Sequence, residues 1–255
     1  MRRLFPEPAA ELDDAELERL YDYPSDLTAP WVQVNFVSSA DGAITVEGRS
    51  SGLGGAGDKR IFGLGRDLAD VILAGAGTVL VEGYRGVRRT EVRAERRARL
   101  GLSEIPPIAV VTRRCSIDPT ARLVTDTLVA PIVLTCADAP AERRAALAEA
   151  GADVVVTGEN TVDLAVALDA LAERGLLRVN CEGGAHLFGE LIAGGLVDQF
   201  CLTVAPLLVG GDAPRSAVGL LPPAPLDLDL ASVLTEDGHL MLRYRADRPR
   251  SQARS

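Results

Sequence analysis

Apolar and polar positions along the chain follow a pattern that predicts buried strands separated by helices. Short apolar runs of the kind that form buried strands lie at residues 31–37, 43–46, 69–73, 108–112, 131–135, 154–157, 176–181, 200–209 and 241–244. Apolar residues with helical spacing lie at residues 13–20, 58–68, 141–150, 162–174 and 187–193. Because strands alternate with helices and further strands close the chain, we predict a three-layer α/β sandwich with a mostly parallel sheet and an antiparallel C-terminal edge.

The same pattern predicts one main domain with a short segment on either side. Residues 30–246 contain the alternating strands and helices, and no linker or internal repeat divides them. Residues 1–29 are predicted to be an N-terminal extension with a short helix, which begins at Asp13 and Asp14. Residues 247–255 are mostly polar, and we expect a disordered tail there.

Composition narrows the class of protein further. With 47% hydrophobic residues and a net charge of −9, the chain can bury a full core, but it suits neither nucleic acid nor an anionic membrane surface as a partner. No apolar run approaches the roughly 18 residues of a membrane span, and no apolar core of a secretory signal follows Arg2 and Arg3. We therefore expect a cytoplasmic protein with reduced cysteines and, because it has only two histidines, without a metal site.

Two strand ends carry glycines that favour a bound phosphate. After the predicted strand 176–181 the chain continues with Glu182 and two glycines and then enters a helix. After the strand 69–73, a Gly-Ala-Gly-Thr segment that ends at Thr78 enters another helix. Glycines let the backbone approach a ligand closely, and a helix start offers unpaired N–H groups. We interpret both junctions as parts of a dinucleotide site at one edge of the sheet, although Thr78 also suits an ordinary helix cap.

The segment 52–57 matches the G-x-G-x-x-G pattern of dinucleotide-binding folds, but its context differs. In those folds the pattern follows directly on a buried strand, whereas here it follows the polar residues 47–51. The usual inference is therefore rejected. Two interpretations stay open, a mobile loop over an active site and a purely structural loop.

Seven arginines crowd into residues 85–99 of an otherwise acidic chain. Most of them are expected on a solvated helix face, where glutamates alternate with them. Those nearest the strand end, Arg85, Arg88 and Arg89, could reach a phosphate group, which the planar guanidinium suits. The segment therefore supplies candidate ligands for a phosphorylated substrate.

Thr112 and Arg113 lie where a predicted strand ends. A hydroxyl and a guanidinium at this place suit the ribose 2′-phosphate of NADPH, although a surface turn would explain them equally. The chain has no Walker loop and no G-x-S-x-G segment, and neither histidine has an evident nucleophile beside it. Hydride transfer suits such a chain because the cofactor supplies the chemistry and the protein orients the reactants.

Taken in order, four segments resemble the riboflavin-biosynthesis reductases, the C-terminal reductase domain of RibD-type proteins, which have a dihydrofolate-reductase-like fold. The segments are residues 34–42 with Ser-Ser-Ala-Asp-Gly, residues 75–79, residues 182–187 and residues 202–211. Stand-alone actinobacterial members of this pyrimidine reductase family resemble the chain most. The resemblance spans about residues 30–245 and implies a homodimer that uses NADPH to reduce the ribosyl group of a ribosylaminopyrimidine 5′-phosphate to ribityl.

The resemblance and the glycine junctions together give a set of expected site residues. Those expected to contact NADPH are Ser38, Thr78, Glu82, Thr112, Arg113, Gly183, Gly184, Ala185, His186, Leu187 and Phe188. Those expected to contact the substrate are Ser50, Arg66, Arg88, Arg89 and Glu182, of which Arg66 and the loop arginines are candidates for its 5′-phosphate.

Some features leave alternatives open. No zinc-deaminase motif of the bifunctional family members occurs, the loop 51–57 is richer in glycine than in the family, and Ala40 replaces a common leucine. The substrate could therefore be another heterocycle such as dihydrofolate, or the chain could be a non-catalytic NADP(H)-binding protein. The proton for the reduction could come from water, and Asp41 is a further candidate that also suits a simple turn.

Overall fold

A computed structural model describes residues 1–246, and its strands and helices alternate along most of the chain. The strands are β1 (Arg2–Phe5), β2 (Ala10–Glu11), β3 (Trp31–Ser39), β4 (Val71–Gly75), β5 (Ile108–Val111), β6 (Ile132–Thr135), β7 (Asp153–Val156), β8 (Arg178–Cys181), β9 (Gln199–Ala205), β10 (Leu228–Glu236) and β11 (His239–Ala246). The helices are α1 (Asp14–Tyr21), α2 (Ala56–Leu68), α3 (Ala76–Glu82), α4 (Ala94–Arg99), α5 (Arg122–Thr125), α6 (Ala141–Glu149), α7 (Leu164–Ala172) and α8 (Ala185–Ala193). The predicted tail, residues 247–255, lies outside the described residues.

The described strands form one sheet in the order β2-β1-β10-β11-β9-β3-β8-β4-β5-β6-β7. From β9 to β7 every neighbouring pair is parallel, and on the other side β11, β10, β1 and β2 add on in antiparallel pairs. The predicted α/β class, with a mostly parallel sheet and an antiparallel edge, is therefore confirmed. The strands β1 and β2 at this edge come from the N-terminal segment and were not predicted.

Helices cover both faces of the sheet because side chains of the parallel strands alternate between the faces. On β4, Val71 and Leu73 pack against α7 and α8, whereas Ile72 and Ala74 pack against α3 and α6. A third cluster places α1 and α2 over the half of the sheet formed by β9, β10 and β11. The result is three layers, with the sheet in the middle.

Three strand predictions need correction. Residues 43–46 form no strand, because the backbone N–H of Ala43 donates to the Ser39 hydroxyl instead of pairing with a neighbouring strand. The strand predicted at residues 200–209 ends at Ala205, since Pro206 has no N–H for the ladder. The strand β10 was missed because Leu234 is its only fully buried apolar residue, which leaves little alternation to detect.

The arginine-rich segment only partly matches the solvated helix face that its sequence predicted. Arg85, Arg89, Arg93 and Arg99 are exposed, whereas Arg96 and Arg97 of α4 are enclosed. Arg97 is fully buried, and its guanidinium donates to the backbone carbonyls of Arg66 and Ala69 at 2.8 Å each. Arg96 pairs with Glu18 of α1 at 2.7 Å and also with a carboxylate of α2. Buried carbonyls and carboxylates need hydrogen-bond donors. The guanidinium groups of Arg96 and Arg97 supply them and so hold α1 and α4 against α2.

Two further sequence predictions concern cysteines and membranes. All four cysteines are free and buried, and burial raises the pKa of Cys181 and of Cys201 to about 12. The thiols of Cys181 and Cys201 are therefore protonated and unreactive at neutral pH. Among residues 1–246, no helix has the length and apolarity that crossing a membrane requires, and no cluster of three potential metal ligands occurs.

Candidate active site

The two glycine junctions lie side by side at one edge of the sheet, as the sequence predicted. One joins β4 to α3 and the other joins β8 to α8, and these strands are neighbours. The Gly75 N–H donates to the Gly183 carbonyl at 2.9 Å, so the two turns are hydrogen-bonded to each other. Both helix starts therefore face the same region of the surface.

No side chain fits at the second junction without displacing a neighbour. Gly183 has a φ of +91°, and a Cβ there would lie 3.0 Å from the ring of Phe36. A Cβ on Gly184 would lie 2.8 Å from the Thr78 hydroxyl. Gly184 is also the N-cap of α8, and no side chain caps this helix. Bare backbone and free N–H groups at a nine-residue helix fit the pyrophosphate of a dinucleotide.

A cavity of about 1060 Å³ extends along this edge of the sheet. It brings together most of the residues that the sequence singled out. Those that line it are Ser50, Arg66, Thr78, Glu82, Thr112, Arg113, Glu182, Gly183, Gly184, Ala185, His186 and Leu187. A cavity of this size can hold a dinucleotide cofactor and a small substrate together.

Four of the residues expected to contact NADPH or the substrate lie outside the lining, because each is buried or paired elsewhere. Ser38 is buried within β3, and Phe188 packs in the core with its ring stacked on Phe36 at 5.3 Å. Arg88 pairs with Asp126, and Arg89 pairs with Glu104. The structure therefore does not bring these four side chains to the cavity.

At one end of the cavity Arg66 and Glu182 form a buried ion pair. Arg66 Nε donates to Glu182 Oε1 at 2.7 Å, and Arg66 Nη2 donates to Oε2 at 2.8 Å, which makes the pair bidentate. The hydroxyl of Tyr84 donates to Glu182 Oε2 at 2.7 Å, and the Asn180 side-chain amide donates to Oε1 at 3.3 Å. The Glu182 side chain is only 1% exposed, so this carboxylate is fixed in direction.

The surroundings of Arg66 keep its charge. Burial lowers its pKa, but the charge and hydrogen bonds of Glu182 more than offset this and raise the pKa above its ordinary value. The guanidinium also lies over the Phe62 ring, 4.7 Å from the centroid. The remaining nitrogen, Nη1, donates to Glu91 at 3.1 Å, and Arg85 donates to the same carboxylate at 3.2 Å. Arg66 is thus held by one carboxylate inside the cavity and a second at its rim.

Comparison with known proteins decides the family. A model of the RibD C-terminal domain family matches residues 30–242. The chain belongs to this family.

Relatives and a solved structure agree with this assignment. The 2,5-diamino-6-ribosylamino-4(3H)-pyrimidinone 5′-phosphate reductase of Archaeoglobus fulgidus is 35% identical over 193 residues, 74% of this chain and 87% of that protein. The reductase of the same name from Methanothermobacter thermautotrophicus is 32% identical over 191 residues, 74% of this chain and 83% of that protein. The crystal structure of a pyrimidine reductase-like protein from Corynebacterium diphtheriae matches with a TM-score of 0.77 and 25% identity, over 86% of this chain and 93% of that one.

Within this RibD C-terminal domain, Asp41 follows β3 and is held by several hydrogen bonds. Its carboxylate accepts the Ser39 hydroxyl and the backbone N–H groups of Gly210 at 2.7 Å and Val209 at 3.1 Å. These hydrogen bonds hold its pKa at about 2, so the group is ionised at neutral pH and has no proton to give. Asp41 also lies outside the cavity lining. Both observations favour the alternative of a turn residue over that of a proton donor.

Several residues of the site were missed by sequence reasoning. Tyr84 and Glu91 lie in the arginine-rich loop region, where the compositional signal comes from the arginines and not from these two residues. Phe62 and Asp58 precede Arg66 by four and eight residues on α2 and line the same cavity. Since residues four apart share a helix face, the spacing from Arg66 would have found both.

Proposed function

We propose that the chain reduces the ribosyl group of a ribosylaminopyrimidine 5′-phosphate to a ribityl group in riboflavin biosynthesis, with NADPH as reductant. One observation supports this most directly: the glycine cradle at Gly183 and Gly184 opens into the same cavity as the buried pair of Arg66 and Glu182. A dinucleotide and an anionic polyol could therefore meet there. The Archaeoglobus and Methanothermobacter relatives are named as reductases of such a substrate.

The cofactor end of the cavity fits a pyrophosphate, because a side chain at Gly184 would collide with Thr78. When bound, the dihydronicotinamide of NADPH supplies a hydride. Thr78 and the first residues of α8 would bind the pyrophosphate at this cradle. Thr112 and Arg113, which line the same cavity, would bind a 2′-phosphate, and this preference for NADPH over NADH is part of the proposal.

At the substrate end, Arg66 and Glu182 would divide the recognition between them. The Glu182 carboxylate can accept hydrogen bonds from ribosyl hydroxyls, because it is buried and fixed in direction by Tyr84. The Ser50 backbone N–H is already bound to Glu82 at 3.0 Å, which leaves its hydroxyl for the substrate. Arg66 keeps one nitrogen, Nη1, for the 5′-phosphate, provided that Glu91 leaves it.

Replacing Glu91 with glutamine should therefore tighten binding of the phosphorylated substrate. The carboxylate occupies the edge of Arg66 that a phosphate would need, and a partly exposed ion pair contributes up to about 1 kcal/mol. We expect the KM for the pyrimidine phosphate to fall by about twofold to fivefold, and the inhibition constant of inorganic phosphate to fall with it. Steady-state kinetics of Glu91→Gln measures both values.

Glu104→Gln is the matched control, because it frees Arg89 outside the cavity in the same way. Its KM should equal that of the wild type. A higher KM in Glu91→Gln would show that Glu91 orients Arg66 instead of competing for it. A lower KM in Glu104→Gln would make Arg89 the phosphate ligand.

The reaction itself is tested by following the absorbance of NADPH with candidate substrates. The 2,5-diamino-6-ribosylaminopyrimidinone 5′-phosphate, its deaminated form and dihydrofolate would be compared, with NADH run beside NADPH. We expect turnover with a pyrimidine phosphate and NADPH. Turnover with dihydrofolate alone would move the substrate to another heterocycle, and tight NADPH binding without any turnover would favour a binding protein.

The proposal includes a homodimer that works in the cytoplasm. Leu208, Leu220 and Leu221 are exposed on the segment between β9 and β10, with Leu221 at 89%, and apolar residues grouped in this way favour a contact with a second chain. The buried free thiols suit a reducing compartment. Light scattering of the purified chain would contradict the dimer if it gave the mass of one chain.

A further inference from the structure

Reduction of the imine needs a proton as well as a hydride, and the inference below rests on the proposed function. When a hydride adds to C1′ of the ring-opened substrate, the electron pair of the C=N bond moves to nitrogen, and this nitrogen must take up a proton. Among the described residues, the carboxyl side chains that line the cavity are Asp58, Glu82, Glu182 and Glu190. Any of the four could supply that proton.

Three of the four are poorly suited. Glu182 accepts two hydrogen bonds from Arg66 in a bidentate pair, so both of its oxygens are already engaged as acceptors. Glu82 accepts the backbone N–H of Ser50, so its carboxylate is already engaged with the loop that follows β3. Glu190 is exposed on α8, beyond the glycine cradle and at the cofactor end.

Asp58 has the position that the reaction requires. It lies on α2 two turns before Arg66, and Phe62 stands between them on the same face. At 1.5 Å per residue, eight residues separate Asp58 from Arg66 by about 12 Å along the helix axis. Because Asp58, Phe62 and Arg66 line the same cavity, a substrate whose phosphate binds Arg66 has room to extend its ribosylamino group along α2 to Asp58.

The surroundings of Asp58 hold the carboxyl in place and hinder its ionisation. The buried Thr203 of β9 lies beside it, and the backbone of Gly54 lies so close that a Cβ there would be 2.6 Å from Asp58 Oδ2. Burial raises the pKa of Asp58, while Thr203 and the charges of His239 on β11 and of Lys59 oppose the rise. Tyr21 of α1 also interacts electrostatically with Asp58.

Among residues 1–246, no arginine or lysine forms an ion pair with Asp58, whereas Glu182 forms one with Arg66. The two carboxyl groups at the substrate end therefore suit different roles: Asp58 suits a proton donor, and Glu182 suits a fixed acceptor. Burial without a cationic partner favours the neutral form, and an ion pair favours the charged form.

We propose that Asp58 is the catalytic acid of this site. The Asp58 carboxyl gives its proton to the exocyclic nitrogen as hydride reaches C1′, so that the C=N bond becomes C–N with one new C–H and one new N–H bond. The nicotinamide is oxidised, the imine is reduced, and water at the cavity mouth returns a proton to the Asp58 carboxylate.

Asp58→Asn tests the assignment, because asparagine keeps the shape and cannot give the proton. We expect kcat to fall by about 100-fold or more, while the Kd for NADPH stays within about threefold. In the wild type, kcat should fall as pH rises through the pKa of Asp58, because the acid must be protonated. The pH profile of Asp58→Asn should lack this fall, which is called the alkaline limb below. Thr203→Val removes a donor to the ionised form, so the alkaline limb should move to higher pH.

A second readout does not depend on turnover. The protein is labelled with carboxyl-¹³C aspartate, and the NMR signal that is missing from Asp58→Asn is assigned to Asp58. In the wild type, the titration midpoint of this signal should lie above the ordinary value of an aspartate. Asp14→Asn, which alters a carboxylate outside this cavity, serves as the control and should keep wild-type kinetics.

The outcomes separate this assignment from the proposed function. Wild-type kcat with an unchanged pH profile in Asp58→Asn overturns the assignment alone. A titration midpoint of Asp58 at or below the ordinary value of an aspartate also overturns it. If the wild type reduces no pyrimidine phosphate, the proposed function fails and the assignment fails with it.

Discussion

Replacing Gly184 with valine should abolish NADPH binding while the chain stays folded. The Cβ would lie 2.8 Å from the Thr78 hydroxyl, and the branched side chain would fill the space in front of the first N–H groups of α8. A pyrophosphate could then no longer approach the backbone. We expect the Kd for NADPH to rise by more than about 100-fold, or about 2.7 kcal/mol, and fluorescence titration with NADPH measures it.

Gly63→Val is the matched control for this change. Gly63 is also a helical glycine, but a Cβ there meets no atom within 4 Å, and the residue does not line the large cavity. Its Kd for NADPH should equal that of the wild type. If Gly184→Val unfolds, the smaller Gly184→Ala takes its place, since its Cβ meets the same hydroxyl. Wild-type affinity in a folded Gly184 variant would remove the pyrophosphate from this junction.

Arg66→Ala should affect the phosphorylated substrate far more than the cofactor. The guanidinium is the buried cation at the substrate end, and hydrogen bonds to charged groups contribute about 1.5–3 kcal/mol each. We expect the KM for the pyrimidine phosphate to rise by about 100-fold, and the Kd for NADPH to change by less than about threefold. Arg60→Ala removes an arginine of the same helix that pairs with Asp14 instead, and it should leave both values unchanged.

Arg66→Ala also leaves Glu182 buried without its partner, which should lower the free energy of unfolding by about 3–5 kcal/mol. The double variant Arg66→Met with Glu182→Leu replaces both charges by apolar groups and should recover much of that stability. It should not recover substrate binding. Equal losses for substrate and cofactor in Arg66→Ala would place Arg66 outside the phosphate site.

The fold and the glycine junctions could be predicted from the sequence because their signals are local. Each buried strand is a short apolar run, and each junction is a glycine segment between a strand and a helix. The parallel arrangement then places both junctions at one edge, which the hydrogen bond from Gly75 to Gly183 confirms. The strand β10 escaped because half-exposed strands have a weak apolar pattern.

The partners of individual side chains could not be predicted in the same way. Arg66 and Glu182 are 116 residues apart, and only the assembled sheet brings them together. The loop arginines look alike in sequence, yet Arg88 and Arg89 are drawn to carboxylates outside the cavity while Arg85 meets Glu91 beside Arg66. These carboxylates compete with a ligand for the arginines, because each buried or half-buried charge needs a partner. They therefore decide which arginine faces the ligand.

The place of β3 in the sheet has a consequence for biosynthesis of the chain. This strand forms near the N-terminus, yet both of its neighbours, β8 and β9, leave the ribosome only after about 140 further residues. At 5–20 residues per second, the apolar β3 of a nascent chain stays unpaired for roughly 10–30 s. During that time it is open to aggregation with other nascent chains and to chaperones, so weak induction, which keeps few chains in synthesis at once, should favour soluble protein in recombinant expression.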